Sequence, residues 1–221
     1  MQSIQLDSST SKRKIYSEWL KLFAILFMVI DHVGLVFYPE LTFLRQLGRL
    51  AFPIFAYQIT LGFQLTSNKK KMLQRLLAFA FLSAIPYFLM TDSATLNIFF
   101  TLSLGFLAMW VLQERKYIFL LPFILAIPFF VPIDYGIYGV LSILFFYLLR
   151  KNFYLQLLGF IVLTFLYIGS GGNVIQINAV FGVMFVPLLL VLKDRFHIHK
   201  YFYYAFYPAH MLLLWLLDVA I

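Results

Sequence analysis

The feature that most constrains the fold is a series of long apolar segments separated by short polar stretches. A helix needs about 20 apolar residues to cross the hydrocarbon core of a bilayer, within a range of about 17–25. Nine segments come near this length, and they lie near 19–38, 51–67, 73–91, 97–113, 117–132, 136–149, 154–169, 176–192 and 201–219. We therefore predict an all-α fold, a polytopic transmembrane helix bundle of about nine spans.

The composition excludes a water-soluble globular protein. Hydrophobic residues make up 63% of the chain and charged residues 12%, whereas charged residues are about a quarter of an ordinary soluble domain. The absence of cysteine excludes disulfides and thiolate metal sites. Several spans are short and many contain proline, so we expect kinked helices whose broken hydrogen-bond ladders are repaired by neighbouring helices. The least defined boundary lies within residues 117–149, around VPIDYG.

The distribution of basic residues predicts the orientation of the bundle. Apart from Arg45 and Arg49, the lysines and arginines fall near the N-terminus or in every second loop. These loops lie near 69–75, 115–116, 150–151 and 193–200. Because basic loops stay in the cytoplasm, we predict a multi-pass protein of the bacterial cytoplasmic membrane with its N-terminus inside and its C-terminus outside. The formal charge of +8 follows from this topology, so the expected partner is the lipid bilayer and not nucleic acid.

The same pattern predicts the domain organisation. Residues 1–18 form a cytoplasmic, polar and basic tail, and residues 19–221 form a single membrane-embedded domain.

An adjacent acid and histidine interrupt the first predicted span, WLKLFAILFMVIDHVGLVFYP. An acidic side chain at the centre of a membrane helix costs about 2.5–3.5 kcal/mol even on the lenient insertion scale, so Asp31 and His32 are by default a functional site. Neutral imidazole suits general-base catalysis because it titrates near neutral pH. A second intramembrane histidine, His210, follows Pro208 in the last span and is a helper acid or base, a substrate-binding residue or a packing residue. A proton relay in a small transporter is the alternative use of Asp31, His32 and His210.

Two arginines lie outside the basic loops, in LTFLRQLGRLAFP between the first two spans. Their spacing of four places Arg45 and Arg49 on one helical face, so the segment is predicted to be an amphipathic half-helix. The guanidiniums either reach lipid head groups or hold Asp31 or an anionic part of a substrate. Arg49 is the first candidate partner for Asp31.

The spacing between Lys21 and His32 fits a long, thin ligand. The two side chains lie on nearly the same helix face, about 16 Å apart along the axis. Extended acetyl-CoA, with phosphates at one end and a thioester at the other, has that shape. Lys71 and Arg75 share a helix face in a basic loop and are further candidates to bind its phosphates.

Sequence motifs for several other chemistries are absent. The chain has no Walker loop, dinucleotide fingerprint, HExxH or GxSxG, and its Asp and His residues do not predict a metal site.

Six ordered segments resemble the TraX family. They are LKLFAILFMVIDHVGLVFYP, LRQLGRLAFPIFAYQITLGF, KKKMLQRLLAFAFLSAIPYF, LNIFFTLSLG, DYGIYGVLSILFFY and KYFYYAFYPAHMLLL. The similarity runs from about residue 20 to residue 216. The resemblance implies a membrane acetyltransferase, because the named member of that family acetylates the N-terminus of conjugative pilin.

The first three segments are also similar to the larger membrane acyltransferase family 3. There a basic residue, ten residues and a histidine occupy the first span, as Lys21 and His32 do here, and the second span ends in Gly-Phe, as at Gly62 and Phe63. This resemblance implies acyl transfer from cytoplasmic acyl-CoA through the bundle to an acceptor at or beyond the membrane. The chain departs from the pattern in having Lys21 where Arg is commoner and in lacking Arg-x-x-Arg before residue 76.

The leading hypothesis is an integral membrane acetyltransferase with acetyl-CoA as acyl donor and no metal. Lys21, Lys71 and Arg75 would hold the CoA phosphates, and neutral His32 would deprotonate the acceptor, with His210 as second catalyst. Asp31 and Arg49 would fix the surroundings of His32, and Arg45 and Arg49 are the candidates to bind the substrate.

The sequence leaves three points of this hypothesis open. Direct transfer and a transient acyl-histidine both fit, the acceptor is a peptide N-terminus, a sugar or a small amine, and the oligomeric state is undetermined. The alternatives are a small proton-coupled transporter and a non-catalytic assembly factor for pili or other surface appendages.

Overall fold

Helices form the framework of the protein. The computed structural model describes residues 18–192, 194 and 196–220. The α-helices in this part of the chain are α1 (Glu18–Val36), α2 (Thr42–Gly48), α3 (Ala51–Leu65), α4 (Lys69–Leu82), α5 (Ala84–Thr91), α6 (Ile98–Gln113), α7 (Leu121–Phe130), α8 (Gly136–Leu148), α9 (Phe153–Gly169), α10 (Ala179–Val191) and α11 (Lys200–Ala220). Two 3₁₀ helices, Arg115–Leu120 and Val174–Asn178, precede α7 and α10. The predicted all-α class is confirmed.

Each of the nine predicted apolar segments contains α-helix. The stretch between the first two apolar segments, which is predicted to be an amphipathic half-helix, forms α2. The third segment forms two helices, α4 and α5, which are bent by 42° at the break. Pro86 explains the break, because a proline has no N–H to donate to the carbonyl of Leu82 and its ring clashes with that carbonyl.

Length and apolar composition single out fewer membrane spans than the sequence predicts. Of the helices that the structure describes, α1 and the helical run Val174–Val191 are long and apolar enough to cross a membrane, and α4 with α5 adds a third if the bent pair is one span. Helices α6, α8 and α9 are apolar but shorter. The arrangement of about nine spans therefore stays a prediction.

Part of the predicted domain scheme falls outside the described residues. Residues 1–17 of the predicted tail are among these, and so are Lys193 and Arg195 of the last basic loop. Glu18, assigned to the tail from the sequence, instead begins α1.

Segments that the sequence assigns to the same side of a membrane contact one another. Between the two loops that follow α5 and α7, the N–H of Leu96 donates to the carbonyl of Pro132 at 2.9 Å, and the N–H of Asp134 donates to the carbonyl of Leu96 at 2.7 Å. At the opposite end, the N–H of Glu18 donates to the carboxylate of Asp194 at 2.9 Å. These contacts bring the loops together at two opposite ends of the helices.

The relative direction of three helices positions the central residues. Helix α1 runs parallel to α11, since Lys21 lies over the ring of Tyr203 at 5.0 Å and His32, three turns later, contacts His210 of α11. Helix α3 begins beside the C-terminal part of α1, since Gly48, just before α3, lies against Asp31. It runs antiparallel to α1, since Gly62 near its other end packs against Met72 of α4, and α4 reaches α11 beside the Lys21 end of α1.

Candidate functional site in the helix bundle

A buried carboxylate binds two arginines near the C-terminal end of α1. Asp31 is 9% exposed. Nη1 of Arg45 donates to its Oδ2 at 2.6 Å and to its backbone carbonyl at 2.8 Å. Nη2 of Arg49 donates to Oδ1 at 3.0 Å and to Oδ2 at 3.1 Å. The structure thus unites the three residues, with both arginines as partners of Asp31.

The sequence of α2 explains this geometry. Arg45 and Arg49 are four residues apart and face α1 together, as expected for one helical face. Gly48 allows the approach, because a Cβ at this position would lie 2.2 Å from Cβ and Oδ1 of Asp31. One carboxylate against two guanidiniums leaves one positive charge that Asp31 does not neutralise.

The two histidines that the sequence predicts to lie within membrane spans form a hydrogen-bonded pair. Nδ1 of His32 lies 2.7 Å from Nε2 of His210, and the two rings are parallel to within 5°. Parallel rings with atoms this close cannot be stacked face to face, since the planes are then separated by at most 2.7 Å. The rings therefore meet edge to edge, which is the geometry of an N–H···N hydrogen bond.

A backbone carbonyl fixes the direction of this bond. Nδ1 of His210 lies 2.9 Å from the carbonyl oxygen of Phe206, and a carbonyl only accepts, so Nδ1 of His210 carries a proton. In the neutral state Nε2 of His210 is then the acceptor, and Nδ1–H of His32 is the donor. Nε2 of neutral His32 is left with a lone pair, which is the requirement for a general base.

A cavity adjoins the aspartate and the histidine. Its volume is about 40 Å³, and it is lined by residues of α1, α2, α3, α6 and α11 and of the loop before α8, among them Asp31, His32, Ala51, Phe55 and Tyr207. A water molecule needs about 10–15 Å³ of such space. The cavity therefore admits a few waters or a small group, but not the arm of a coenzyme without helix movement.

The loop before α8 adds site residues that the sequence reasoning missed. Asp134 and Tyr135 line the same cavity. Tyr135 has a φ of 61°, an uncommon left-handed conformation for this residue type, and stacks on Phe52 with ring centroids 4.0 Å apart. The hydroxyl of Thr101 donates to the carbonyl of Asp134. The signal in the sequence that could have indicated this part of the site is Asp134 itself, an acid in a turn between two apolar segments.

The basic candidates lie at the other end of α1 and α11. Lys21 contacts the ring of Tyr203 and pairs with Glu18 at 2.9 Å. The guanidinium of Arg75 lies 5.2 Å from the ring centroid of Tyr204, the next residue of α11. The structure thus brings Lys21 and Arg75 to one end of the molecule, separate from the histidine pair.

Three further residues at this end differ in their exposure. Lys71 is exposed, one turn before Arg75. The side chain of His197 is 80% exposed and lies 3.2 Å from Glu18. The hydroxyl of Tyr203 also donates to the carboxylate of Glu18. Glu18 is a buried acid that the sequence did not mark as a site residue. Within the described ranges, no group of three or more acidic or histidine side chains could hold a metal ion.

The fold and this site define a helical protein with apolar helices long enough to span a membrane. Its site combines a buried aspartate paired with two arginines and a hydrogen-bonded pair of histidines. Comparison with known protein families gives a specific assignment. The family model described as "TraX protein" matches residues 16–218. The chain therefore belongs to the TraX family, as the resemblance of the six segments indicated.

Two curated relatives extend this assignment. The chain is 30% identical over 230 aligned positions to a Dichelobacter nodosus protein named "Probable fimbrial assembly protein FimC, serogroup H1", with 88% of this chain and 92% of that protein covered. It is also 50% identical over 42 residues to an uncharacterized protein of Rickettsia prowazekii (strain Madrid E), a match that spans 19% of this chain and 17% of that protein. No solved structure matches the chain.

Proposed function

We propose that this protein is an integral membrane acetyltransferase that moves an acetyl group from cytoplasmic acetyl-CoA to an amine or hydroxyl at or across the membrane. The observation that carries the proposal is the chain of hydrogen bonds from His32 through His210 to the carbonyl of Phe206. These hydrogen bonds leave Nε2 of neutral His32 unprotonated, and His32 lines a cavity. A general base in such a position contributes about 10²–10⁴-fold to a rate.

The acyl transfer assigns one role to each nitrogen of His32. Nε2 accepts the proton of the acceptor amine or hydroxyl while the acceptor atom bonds to the thioester carbonyl carbon. The carbon–sulfur bond then breaks, and the CoA thiolate takes the proton from the imidazolium. His210, which accepts from Nδ1–H, stabilises the imidazolium. A transient acyl-histidine on Nε2 fits the same arrangement.

The basic end of the molecule is proposed to bind the CoA phosphates. Lys21 and Arg75 contact consecutive tyrosines of α11, so two cations lie at one end of the bundle, and Lys71 lies one turn before Arg75 in α4. Phosphate binding would draw Lys21 from its pair with Glu18. The distance of about 16 Å along α1 from Lys21 to His32 suits an extended donor, and the small cavity implies that helices separate when the donor enters.

The proposed topology places this basic end in the cytoplasm. Basic loops stay inside, which gives about nine spans, an N-terminus inside and a C-terminus outside. Under this proposal the site of Asp31 and His32 lies in the outer half of the bacterial cytoplasmic membrane.

A second candidate is a non-catalytic factor in fimbrial or pilus assembly. The name of the Dichelobacter nodosus relative favours it, because that protein matches this chain over most of its length. In this case the ion pairs and the histidine pair stabilise the bundle and perform no chemistry. A proton-coupled transporter that uses the two histidines as a relay is the third alternative.

The discriminating experiment is the thermal stability of the detergent-purified protein with and without acetyl-CoA. A ligand at a hundredfold excess over its Kd stabilises the native state by about 2.7 kcal/mol. We expect a rise in Tm that Lys21→Ala weakens and His32→Ala preserves, together with release of free CoA that His32→Ala abolishes. Absence of any shift in the wild type would favour the assembly factor or the transporter, and full CoA release by His32→Ala would contradict the catalytic role.

A further inference from the structure

One buried amide in the middle of the bundle lacks a hydrogen-bond partner. Nε2 of Gln58, in α3, is inaccessible to solvent and bonds to no group in the described part of the chain. Two other glutamines pair with backbone carbonyls: Gln64 with that of Thr60 at 3.1 Å and Gln156 with that of Phe146 at 2.8 Å. An unpaired buried donor is costly and therefore uncommon in native structures.

Helix geometry places Gln58 between the two ends of the proposed donor site. Gln58 follows Ala51, which lines the cavity, by seven residues. It therefore lies on nearly the same face of α3, about 10 Å along the axis. Since α3 is antiparallel to α1, this displacement leads away from His32 and toward the level of Lys21.

A second contact confirms the direction in which α3 runs. Gly62, one turn beyond Gln58, packs against the side chain of Met72 in the first turn of α4. Met72 directly follows Lys71 and lies one turn before Arg75. The face of α3 thus leads from the cavity at Ala51, past Gln58, to the basic end of the molecule.

We propose that Nε2 of Gln58 donates a hydrogen bond to an amide carbonyl in the arm of the acyl-CoA donor, and so determines specificity for donors that carry this arm. The inference rests on the proposed acetyltransferase function. The arm between the phosphates and the thioester contains two secondary amides, whose carbonyl oxygens are acceptors. The carboxamide of Gln58 lies halfway between the cations proposed to bind the phosphates and His32, so it is placed to bind one of these carbonyls. Nε2 of Gln58, which has no partner among the described residues, would then gain a hydrogen bond when the donor binds.

The test compares two ligands that share the phosphate-bearing head. Acetyl-CoA contains the amides, and adenosine 3′,5′-bisphosphate contains the head without the arm. Gln58→Met keeps the length of the side chain and removes the hydrogen bond. We expect it to weaken the apparent affinity for acetyl-CoA, measured by thermal-shift titration of the full-length protein, by about fivefold to tenfold, and to leave affinity for the bisphosphate unchanged. Gln64→Met, an exposed position of the same helix, should change neither affinity.

The stability of the ligand-free protein is a second readout. Replacing an unpaired buried amide by an apolar side chain of similar size should leave Tm unchanged or raise it, because no bond is lost. A lower Tm for ligand-free Gln58→Met, or equal loss of affinity for both ligands, would show that Gln58 has a structural role and overturn the inference. An unchanged affinity for acetyl-CoA in Gln58→Met would also overturn it. A wild type that responds to neither ligand would instead contradict the proposed function itself, and the inference with it.

Discussion

The hydrogen bond between His32 and His210 decides which nitrogen of His32 is available as a base. His210→Phe keeps an aromatic ring of similar shape but removes the acceptor for Nδ1–H of His32. The tautomer is then no longer fixed, and the imidazolium loses a stabilising partner. We expect the rate of CoA release to fall about tenfold, the equivalent of one hydrogen bond of about 1.4 kcal/mol, while the thermal shift with acetyl-CoA persists.

A matched control exists for this substitution. His199→Phe changes the same residue type in an exposed segment before α11 and should leave the rate unchanged. A rate for His210→Phe equal to that of the wild type would show that the pair has no part in the chemistry.

The ion pairs of Asp31 predict a large loss of stability when its charge is removed. Asp31→Asn keeps the shape of the side chain but removes the carboxylate with which Arg45 and Arg49 form their ion pairs. Removing one partner of a buried ion pair costs about 3–5 kcal/mol of stability. We expect a loss at the low end of this range, because the side chains of Arg45 and Arg49 are 22% and 18% exposed. The measurement is the free energy of unfolding in a detergent titration. Asp92→Asn, at an exposed loop position, is the control, and an equal loss in both variants would be inconsistent with a stabilising role for these pairs.

At the scale of elements, the contact between α1 and α2 depends on one glycine. A Cβ at Gly48 would lie 2.2 Å from Asp31, whereas one at Gly169 would meet nothing within 4 Å. Gly48→Ala must therefore displace α2 or the carboxylate, and overpacking of this kind costs about 1–3 kcal/mol. Gly169→Ala should stay within about 0.5 kcal/mol of the wild type. Thermal unfolding of the two variants makes the comparison, and a Gly48→Ala protein as stable as Gly169→Ala would show that the contact is loose.

Elements differ in how far the sequence alone could predict them. Helix α2 and its pairing with Asp31 could be predicted from the sequence. The spacing of Arg45 and Arg49 and the cost of an isolated acid in a predicted membrane span can both be read from short segments of the chain. The conformation of the turn around Asp134 could not be predicted from the sequence. Its conformation depends on the bridge between Leu96 and Ile133 and on the hydroxyl of Thr101, and these contacts join distant segments that no local pattern connects.

The whole molecule shows the same division between local and long-range information. The apolar segments predicted the helices, whereas the orientation predicted from the basic loops stays a prediction. The sequence also marked His32 and His210 individually. Their hydrogen bond joins residues 178 positions apart and follows from the parallel packing of α1 and α11, which needed the structure.

The predicted topology can be tested on the intact molecule because the chain has no cysteine. Ser67→Cys, between α3 and α4, and Ser170→Cys, after α9, introduce a thiol by the same conservative change at two exposed positions. With basic loops inside and a span at each predicted segment, position 67 faces the cytoplasm and position 170 the exterior. A membrane-impermeant maleimide should label Ser170→Cys in intact cells and Ser67→Cys only after permeabilisation. Because α4 to α9 separate the two positions, labelling of both from outside would mean that these helices cross the membrane an even number of times, which would contradict the predicted spans and the cytoplasmic position of the donor site together.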